Sequence, residues 1–595
     1  MSTATTDADN FFKSNVLGHP SGLFVLFFTE MWERFSFYGM RVLLINFLTF
    51  AAVGANPGWE WSAENAGALF GTYAMLLYLT PILGGIIADK LTGYRGAVVI
   101  GAIVMTLGHA AMAIETEFWL YVGLALLVIG TGFFKPNITS IISEMYKDRP
   151  EKKDGAYTIF YMGVNAGAFF GMMLCGYLAE KIGWSWGFGL AGVFMLLGTL
   201  QFWLAKPLFG KIGEKPSKVH EVELEQGVNE KAEDFKVEHD MDNEKPNPFI
   251  MVDKILIVIS TILGLGYALN DPLSKIGGIN LFPFKVGDLE GQYVGVLVGL
   301  ACFLVLVISR TSRYTKVVRD RMIAVVVFAF FTVFFWMSFE QGASSLVLFA
   351  RDFVDRSLEG NSLMIFNVVN ALLTVVPLAL ITWVLFLLGK QTLKKIPGSN
   401  IVLAICFAGI WGVVIWMLNA EFSKTESEIT VSWFSILNSF FIIVFASLFS
   451  KWWESKYNPS AAVKYGFGLI IMAIGFGLLA FGSYGIAEGV TVSMIWLILA
   501  YLFHTLGELC LSPVGLSYVS KLVPARMIAF MFGMWYLAIA IGNKLAAVLG
   551  GQIENITEQY SLSTFFLIFT IVPAVAGLLV IALNPVLKKL MHGVK

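Results

Sequence analysis

The chain has 595 residues, is 57% hydrophobic and 14% charged, and carries a net charge of −1, with a mean hydropathy of +0.73. A soluble chain carries roughly a quarter charged residues, so a soluble globule of this length is excluded, and the near-zero net charge gives nucleic acid no electrostatic handle. The four cysteines, Cys175, Cys302, Cys406 and Cys510, stand singly in apolar runs, which argues against a disulfide framework or a metal site and reads as small buried hydrophobes.

The opening segment MSTATTDADNFFKSNVLGHPSG is polar and has no basic stretch ahead of an apolar core. No cleavable signal peptide is expected, and the first span would serve as its own insertion signal. About sixteen candidate membrane spans follow, near 22–50, 64–88, 95–114, 117–142, 156–180, 186–208, 250–270, 291–310, 320–350, 362–389, 399–419, 430–452, 462–485, 492–519, 527–550 and 561–588, each long and apolar enough to cross a bilayer. With a cytoplasmic N-terminus the inside loops include DKLTGYRG, YKDRPEKKDG, SRTSRYTKVVRDR, GKQTLKKIPG, SKWWESKYNPSAAVK and SKLVPAR, while the outside loops include NPGWEWSAEN, AIETEF and AEFSKTESEIT. Lys and Arg gather on one side, as the positive-inside rule requires. Residues of about 210–248, including EVELEQGVNEKAEDFKVEHDMDNEKPN, are charged and poor in aromatics, so they read as a cytoplasmic linker with room for a short helix.

The first span breaks the apolar pattern. TEMWERFSFYGMR, Thr29 to Arg41, holds two glutamates and two arginines. On a helix, Glu30, Glu33, Arg34, Phe37, Tyr38 and Arg41 share one face. A charge at the bilayer centre costs about 2.5–3.5 kcal/mol on insertion scales, so four on one face imply a polar interior to look into, the alternative being an ion-pair cluster that only holds helices together. Other spans supply partners: Lys135 in GTGFFKPNITS, Glu340 in FFWMSFEQGASS, one turn after Trp336, and Glu508 in YLFHTLGELCLSPVGLS, with His504 and Ser512 one turn to either side. Four carboxylates (Glu30, Glu33, Glu340, Glu508) face three cations (Arg34, Arg41, Lys135), leaving one carboxylate free to carry a proton. Lys544 is either a fourth internal cation or a side chain that snorkels to the interface. Tyr38, Tyr78, Trp336 and Trp535 read individually as packing residues, Asn165 and Asn438 as helix–helix hydrogen bonders, and His504 as a packed histidine rather than a relay.

Taken together the motifs resemble the proton-coupled oligopeptide transporter family of the major facilitator superfamily. EMWERFSFYG (Glu30 to Gly39) is similar to its first-helix signature, GFFKPN (Gly132 to Asn137) to its fourth-helix motif and FYMGVNAG (Phe160 to Gly167) to its fifth. FWMSFEQGASSL, TLGELCLSPVGLS and MWYLAIAIGN resemble its seventh, tenth and eleventh, in family order across nearly the whole chain. GGIIADKLTGYRG resembles the loop whose Asp and Arg, here Asp89 and Arg95, latch the two halves together on the cytoplasmic side. Phe37 departs from the signature, where a tyrosine is usual, and Asn438-Ser439 stands where Asn-Pro is usual.

The resemblance implies an all-α polytopic membrane protein with the major facilitator fold, two six-helix bundles plus two inserted helix pairs. An N-terminal bundle is expected over 1–208, the linker and first inserted pair over 209–318, and a C-terminal bundle over 319–595, with a second pair at about 362–419 that begins and ends outside and need not enter the core. It further implies a symporter, not an enzyme, that imports di- and tripeptides by alternating access in the plasma membrane. Both termini would be cytoplasmic, with a proton gradient as driving force, no cofactor or metal, and no obligatory protein partner. A relative carrying nitrate, histidine or another small solute is the alternative. Arg34, Arg41 and Lys135 are expected to hold the peptide carboxylate, Glu508 with Asn165 and Asn438 its ammonium group, and Tyr38, Tyr78, Trp336, Trp535 and Ser512 to line the site. Two switchable pairs are expected, Arg41–Glu340 near the outside and Lys135–Glu508 near the inside, with Glu30, Glu33 and Arg34 coupling proton to peptide.

Overall fold

The computed structural model describes residues 13–215, 247–487, 489–523 and 528–594. Most of the acidic linker therefore lies outside the described residues, as does part of the SKLVPAR loop. Sixteen long helices run in chain order: α1 Ser21–Thr49, α2 Ala63–Ile87, α3 Gly93–Met112, α4 Glu117–Met145, α5 Lys153–Lys181, α6 Trp184–Leu204, α7 Met251–Lys275, α8 Gly291–Ser312, α9 Lys316–Phe339, α10 Gly360–Thr392, α11 Pro397–Phe422, α12 Val431–Glu454, α13 Ala461–Gly482, α14 Ile495–Leu522, α15 Ile528–Gly550 and α16 Leu562–Ala582. Among the described residues, thirteen stretches are long and apolar enough to cross a membrane, one of them spanning both α2 and α3. The chain is a multi-pass integral membrane protein.

Helices α1–α6 form one bundle, and α9 with α12–α16 the other. In hydrocarbon, helices associate through close packing and not through burial from water, and small residues make that packing possible here. Gly163, Gly167 and Gly171 of α5, each one turn from the next, lie against the carbonyls of Phe27, Met31 and Phe35 of α1; a Cβ on Gly171 would stand 2.2 Å from the Phe35 oxygen. The turn from α2 to α3 is a short π-helical stretch, Ala88–Thr92, ended by Gly93 at φ 67°. Only glycine takes that conformation freely, and a Cβ there would also meet the Glu214 carbonyl at 2.3 Å.

The loop 50–62 marks what is called here the upper end of the molecule, and the α2–α3 turn the lower. The bundles meet most closely at the upper end. Glu180 of α5 accepts hydrogen bonds from the backbone N–H groups of Val431 and Ser432 at 2.8 and 3.1 Å. Arg351 donates to Thr49 at 2.7 Å, and the Ala63 N–H donates to Glu554 at 3.1 Å. At the lower end, Arg95 binds the Gly210 carbonyl at 2.9 Å and Glu214 at 3.0 Å. It thus ties the α2–α3 turn to the chain beyond α6, within its own half, and not to the other bundle as the family latch would.

Both inserted pairs lie outside the two bundles. The first, α7 and α8, packs through α7 on α2. The second, α10 and α11, is spliced into the C-terminal half yet packs chiefly on the N-terminal bundle, through α6 and α5. Phe407 of α11 meets Phe28 and Trp32 of α1 edge-on, with ring centroids 5.6 and 5.7 Å apart. At the upper end Glu421 accepts a hydrogen bond from Tyr177 of α5 at 2.6 Å.

The α1–α5 seam sets one expectation. Gly171→Leu should cost about 1–3 kcal/mol through overpacking and lower the thermal unfolding midpoint in detergent. Gly189→Leu, where a Cβ would meet nothing within 4 Å, should leave it unchanged.

Candidate functional site

The charged face of α1 turns inward. Glu30, Glu33 and Arg34 are 3%, 0% and 6% exposed. Arg34 Nε donates to Glu30 Oε1 at 2.7 Å, a one-turn pair on the same helix, and lies 2.9 Å from Glu33 Oε2. That second contact is out of line for a hydrogen bond, and both Glu33 oxygens and Glu30 Oε2 lack a hydrogen-bond partner among the described residues. Two buried carboxylates thus share one guanidinium.

Two turns along α1, Arg41 forms an ion pair with Glu340. Glu340 sits where α9 gives way to a 3₁₀ turn, Glu340–Ala343, so the carboxylate faces the other bundle from a break and not from mid-helix. The pair joins α1 to α9 across the two bundles, the partnership expected from sequence. Phe37, which supplies no hydroxyl, offers its ring instead: the Arg34 and Arg41 guanidinium carbons lie 5.6 and 6.0 Å from its centroid.

Lys135 and Glu508 are not paired. Lys135 Nζ lies 4.9 Å over the ring of Tyr78, and the charges acting on it are those of Arg34, Glu33, Glu30 and Arg41. Glu508 instead accepts a hydrogen bond from Asn438 Nδ2 at 3.0 Å, while the same amide reaches Thr505 at 3.1 Å. Tyr38 and Tyr78 each lie within electrostatic range of Arg34, Arg41 and Glu508. They therefore bring cations of the N-terminal bundle and a carboxylate of the C-terminal bundle into one neighbourhood. The Lys135–Glu508 pair expected from the sequence is not formed in this structure, where the upper Arg41–Glu340 pair is closed.

The remaining residues divide. Trp336 is half-buried near the seam, where Gly542 of α15 lets α9 approach. Trp535 is 3% exposed and packs edge-on to Tyr465 at 6.4 Å, so it belongs to the core as much as to a wall. Asn165 donates back to the Tyr161 carbonyl of its own helix at 3.0 Å. His504 lies against Phe476, ring centroids 4.3 Å apart, with Nε2 unpartnered among the described residues. The Ser512 side chain lies outside the described residues. Lys544 does not snorkel: it is 3% exposed and paired with Asp271 at 2.5 Å. Asp271 had drawn no notice in the sequence.

The profile of the POT family matches residues 95–225 and 410–566. A peptide transporter of Yersinia enterocolitica subsp. palearctica is 30% identical over 100% of this chain and 98% of its own. A di-/tripeptide transporter of Lactococcus lactis subsp. cremoris is 27% identical over 98% of this chain and 99% of its own. Among solved structures, a peptide transporter POT in complex with sulfate superimposes with a TM-score of 0.68 at 27% identity, covering 99% of this chain and 100% of that one. The chain belongs to the POT family and has its all-α major facilitator fold.

Arg34 is the positive charge in direct contact with both Glu30 and Glu33. Arg34→Met should therefore destabilise the protein by about 3–5 kcal/mol, the cost of stranding buried charge. Adding Glu30→Gln and Glu33→Gln should recover most of that loss, as read by thermal unfolding of the purified variants.

Proposed function

We propose that this chain is a proton-coupled symporter that imports di- and tripeptides by alternating access. The observation that carries the reading is the neighbourhood of opposite charges: Arg34 and Arg41 with Lys135 on one bundle, Glu508 held by Asn438 on the other, and Tyr38 and Tyr78 within electrostatic range of Arg34, Arg41 and Glu508. A short peptide is a zwitterion. Its carboxylate suits the cations and its ammonium group suits Glu508. Pairing the two ends fixes the backbone and leaves side chains to tolerant apolar and aromatic surroundings. The names of the relatives favour peptides over nitrate, histidine or another small solute.

The driving force is the proton gradient, with no cofactor and no obligatory partner protein. The protein would work in the plasma membrane with both termini in the cytoplasm, which makes the upper end the outer one. In that orientation Glu340 is the outer proton acceptor. Protonated, it releases Arg41 to the peptide carboxylate. Peptide binding competes with a Lys135–Glu508 pair that closes the inner side, and Glu30, Glu33 and Arg34 relay between proton and peptide.

The test is uptake of labelled dialanine into proteoliposomes with and without an inward proton gradient. Accumulation above equilibrium that collapses with a protonophore is expected; absence of peptide uptake by folded protein would move the assignment to another small solute. Glu340→Gln should abolish gradient-driven accumulation while retaining counterflow, and concentrative uptake by that variant would remove Glu340 from the coupling step.

A further inference from the structure

Lys544 is a cation of the C-terminal bundle whose hydrogen bonds all cross to the other side. Its ammonium donates to Asp271 Oδ2 of α7 at 2.5 Å, to Thr72 Oγ1 of α2 at 3.0 Å and to the Ala68 carbonyl of α2 at 3.2 Å. An ammonium has three N–H donors, so none is left for its own bundle. Asp271 is 5% exposed. Its other oxygen meets Lys275 at 3.0 Å, and Lys275 meets Glu64 at the start of α2 at 3.0 Å. Two acids and two bases cancel. The Thr72 hydroxyl donates to the Ala268 carbonyl at 2.5 Å, riveting α7 to α2. The first inserted helix therefore travels with the N-terminal bundle, and the boundary between moving parts runs between Lys544 and everything it binds.

The seam is closely packed at this height. A Cβ on Gly71 would fall 2.6 Å from Ala547 Cβ and 3.2 Å from Lys544 Cδ, and one on Gly67 would fall 2.6 Å from the Ala547 carbonyl. The upper ends of α2 and α15 cannot part while Lys544 stays in place.

We propose that Lys544 and Asp271 are a second outer latch beside Arg41–Glu340, with the first inserted helix as its fixed jaw, and that this latch must open each time the site turns outward. The proposal rests on alternating access. On opening, Lys544 would swing into a widening aqueous cleft and regain its hydration, while Asp271 keeps Lys275. The latch thus holds the outward-closed state without stranding a bare charge in the other.

The test uses full-length protein with Cys302→Ser, the one cysteine that is not fully buried, and spin labels at Val53→Cys and Glu558→Cys, both exposed positions of the upper loops on opposite bundles. Pulsed EPR reads the short and long distances between them. Lys544→Gln and Asp271→Asn should each raise the long-to-short ratio roughly five- to tenfold. Lys275→Gln, which removes a charge on the N-terminal side only, should leave the ratio near wild type. The double variant Lys544→Gln with Asp271→Asn leaves neither member of the pair stranded, should raise the ratio about as far as either single variant, and serves if the single variants do not fold. An unchanged ratio in these variants overturns the latch, as does an equal shift in Lys275→Gln. A single distance in the wild type at every proton and peptide concentration would instead remove alternating access, and the latch with it.

Discussion

A charge that enters hydrocarbon must bring its counter-charge with it or find one on another helix, and this choice sorts the ionic groups of the protein. Arg34 carries its partners on its own helix, one and four residues back. With two carboxylates to one guanidinium, that cluster keeps its ion pairs whatever the rest of the molecule does. Arg41 and Lys544 make the other choice. Their carboxylates, Glu340 and Asp271, stand on helices outside their own bundle, so their neutrality is conditional on how the two bundles sit. Lys135 and Glu508 take no ionic partner here and use an aromatic face and an amide instead. Local pairs hold a helix in the membrane, while pairs across a seam report and bias the position of one bundle against the other.

Backbone groups follow the same division. Within the N-terminal bundle, the glycines of α5 bring helix carbonyls into permanent contact. Across the seam, Glu180 satisfies the first N–H groups of α12, donors that no helix can satisfy from within and that a carboxylate suits electrostatically. Water can replace a side chain at a helix start. It cannot replace a Gly171 contact with the Phe35 carbonyl. Where the bundles meet, the molecule sets exchangeable hydrogen bonds of this kind beside the close glycine packing of α2 against α15.

Much of this was legible in the sequence. Most of the sixteen helices among the described residues announce themselves through length and hydropathy, and the inward face of α1 follows from charges at helical spacing. Glu340 was recognisable because a carboxylate in an apolar span demands a partner, and Arg41 was available. Asp271 was not. The apolar run ends just before it, so its charge reads as belonging to a loop; the helix runs on to Lys275 because Lys544 and Lys275 neutralise the carboxylate. A buried ion pair between distant segments can hide one member: Lys544 stands out within an apolar span, while Asp271 looks like a boundary. The separation of Lys135 from Glu508 was not legible either, because the ring of Tyr78 and the amide of Asn438 satisfy them instead, and residue spacing does not say which partner a buried charge takes. The docking of α11 was equally hidden, because a helix apolar on all sides does not declare which face it buries.

That docking bears on how the protein is made. Phe28 and Trp32 belong to α1, whereas Phe407, which covers them, belongs to α11 and leaves the ribosome much later. During synthesis the outer flank of the N-terminal bundle must wait in lipid until most of the chain has followed. The two halves are therefore not independent products of translation: the second completes the surface of the first, and a nascent chain halted before α11 would present a bundle with an aromatic flank still uncovered.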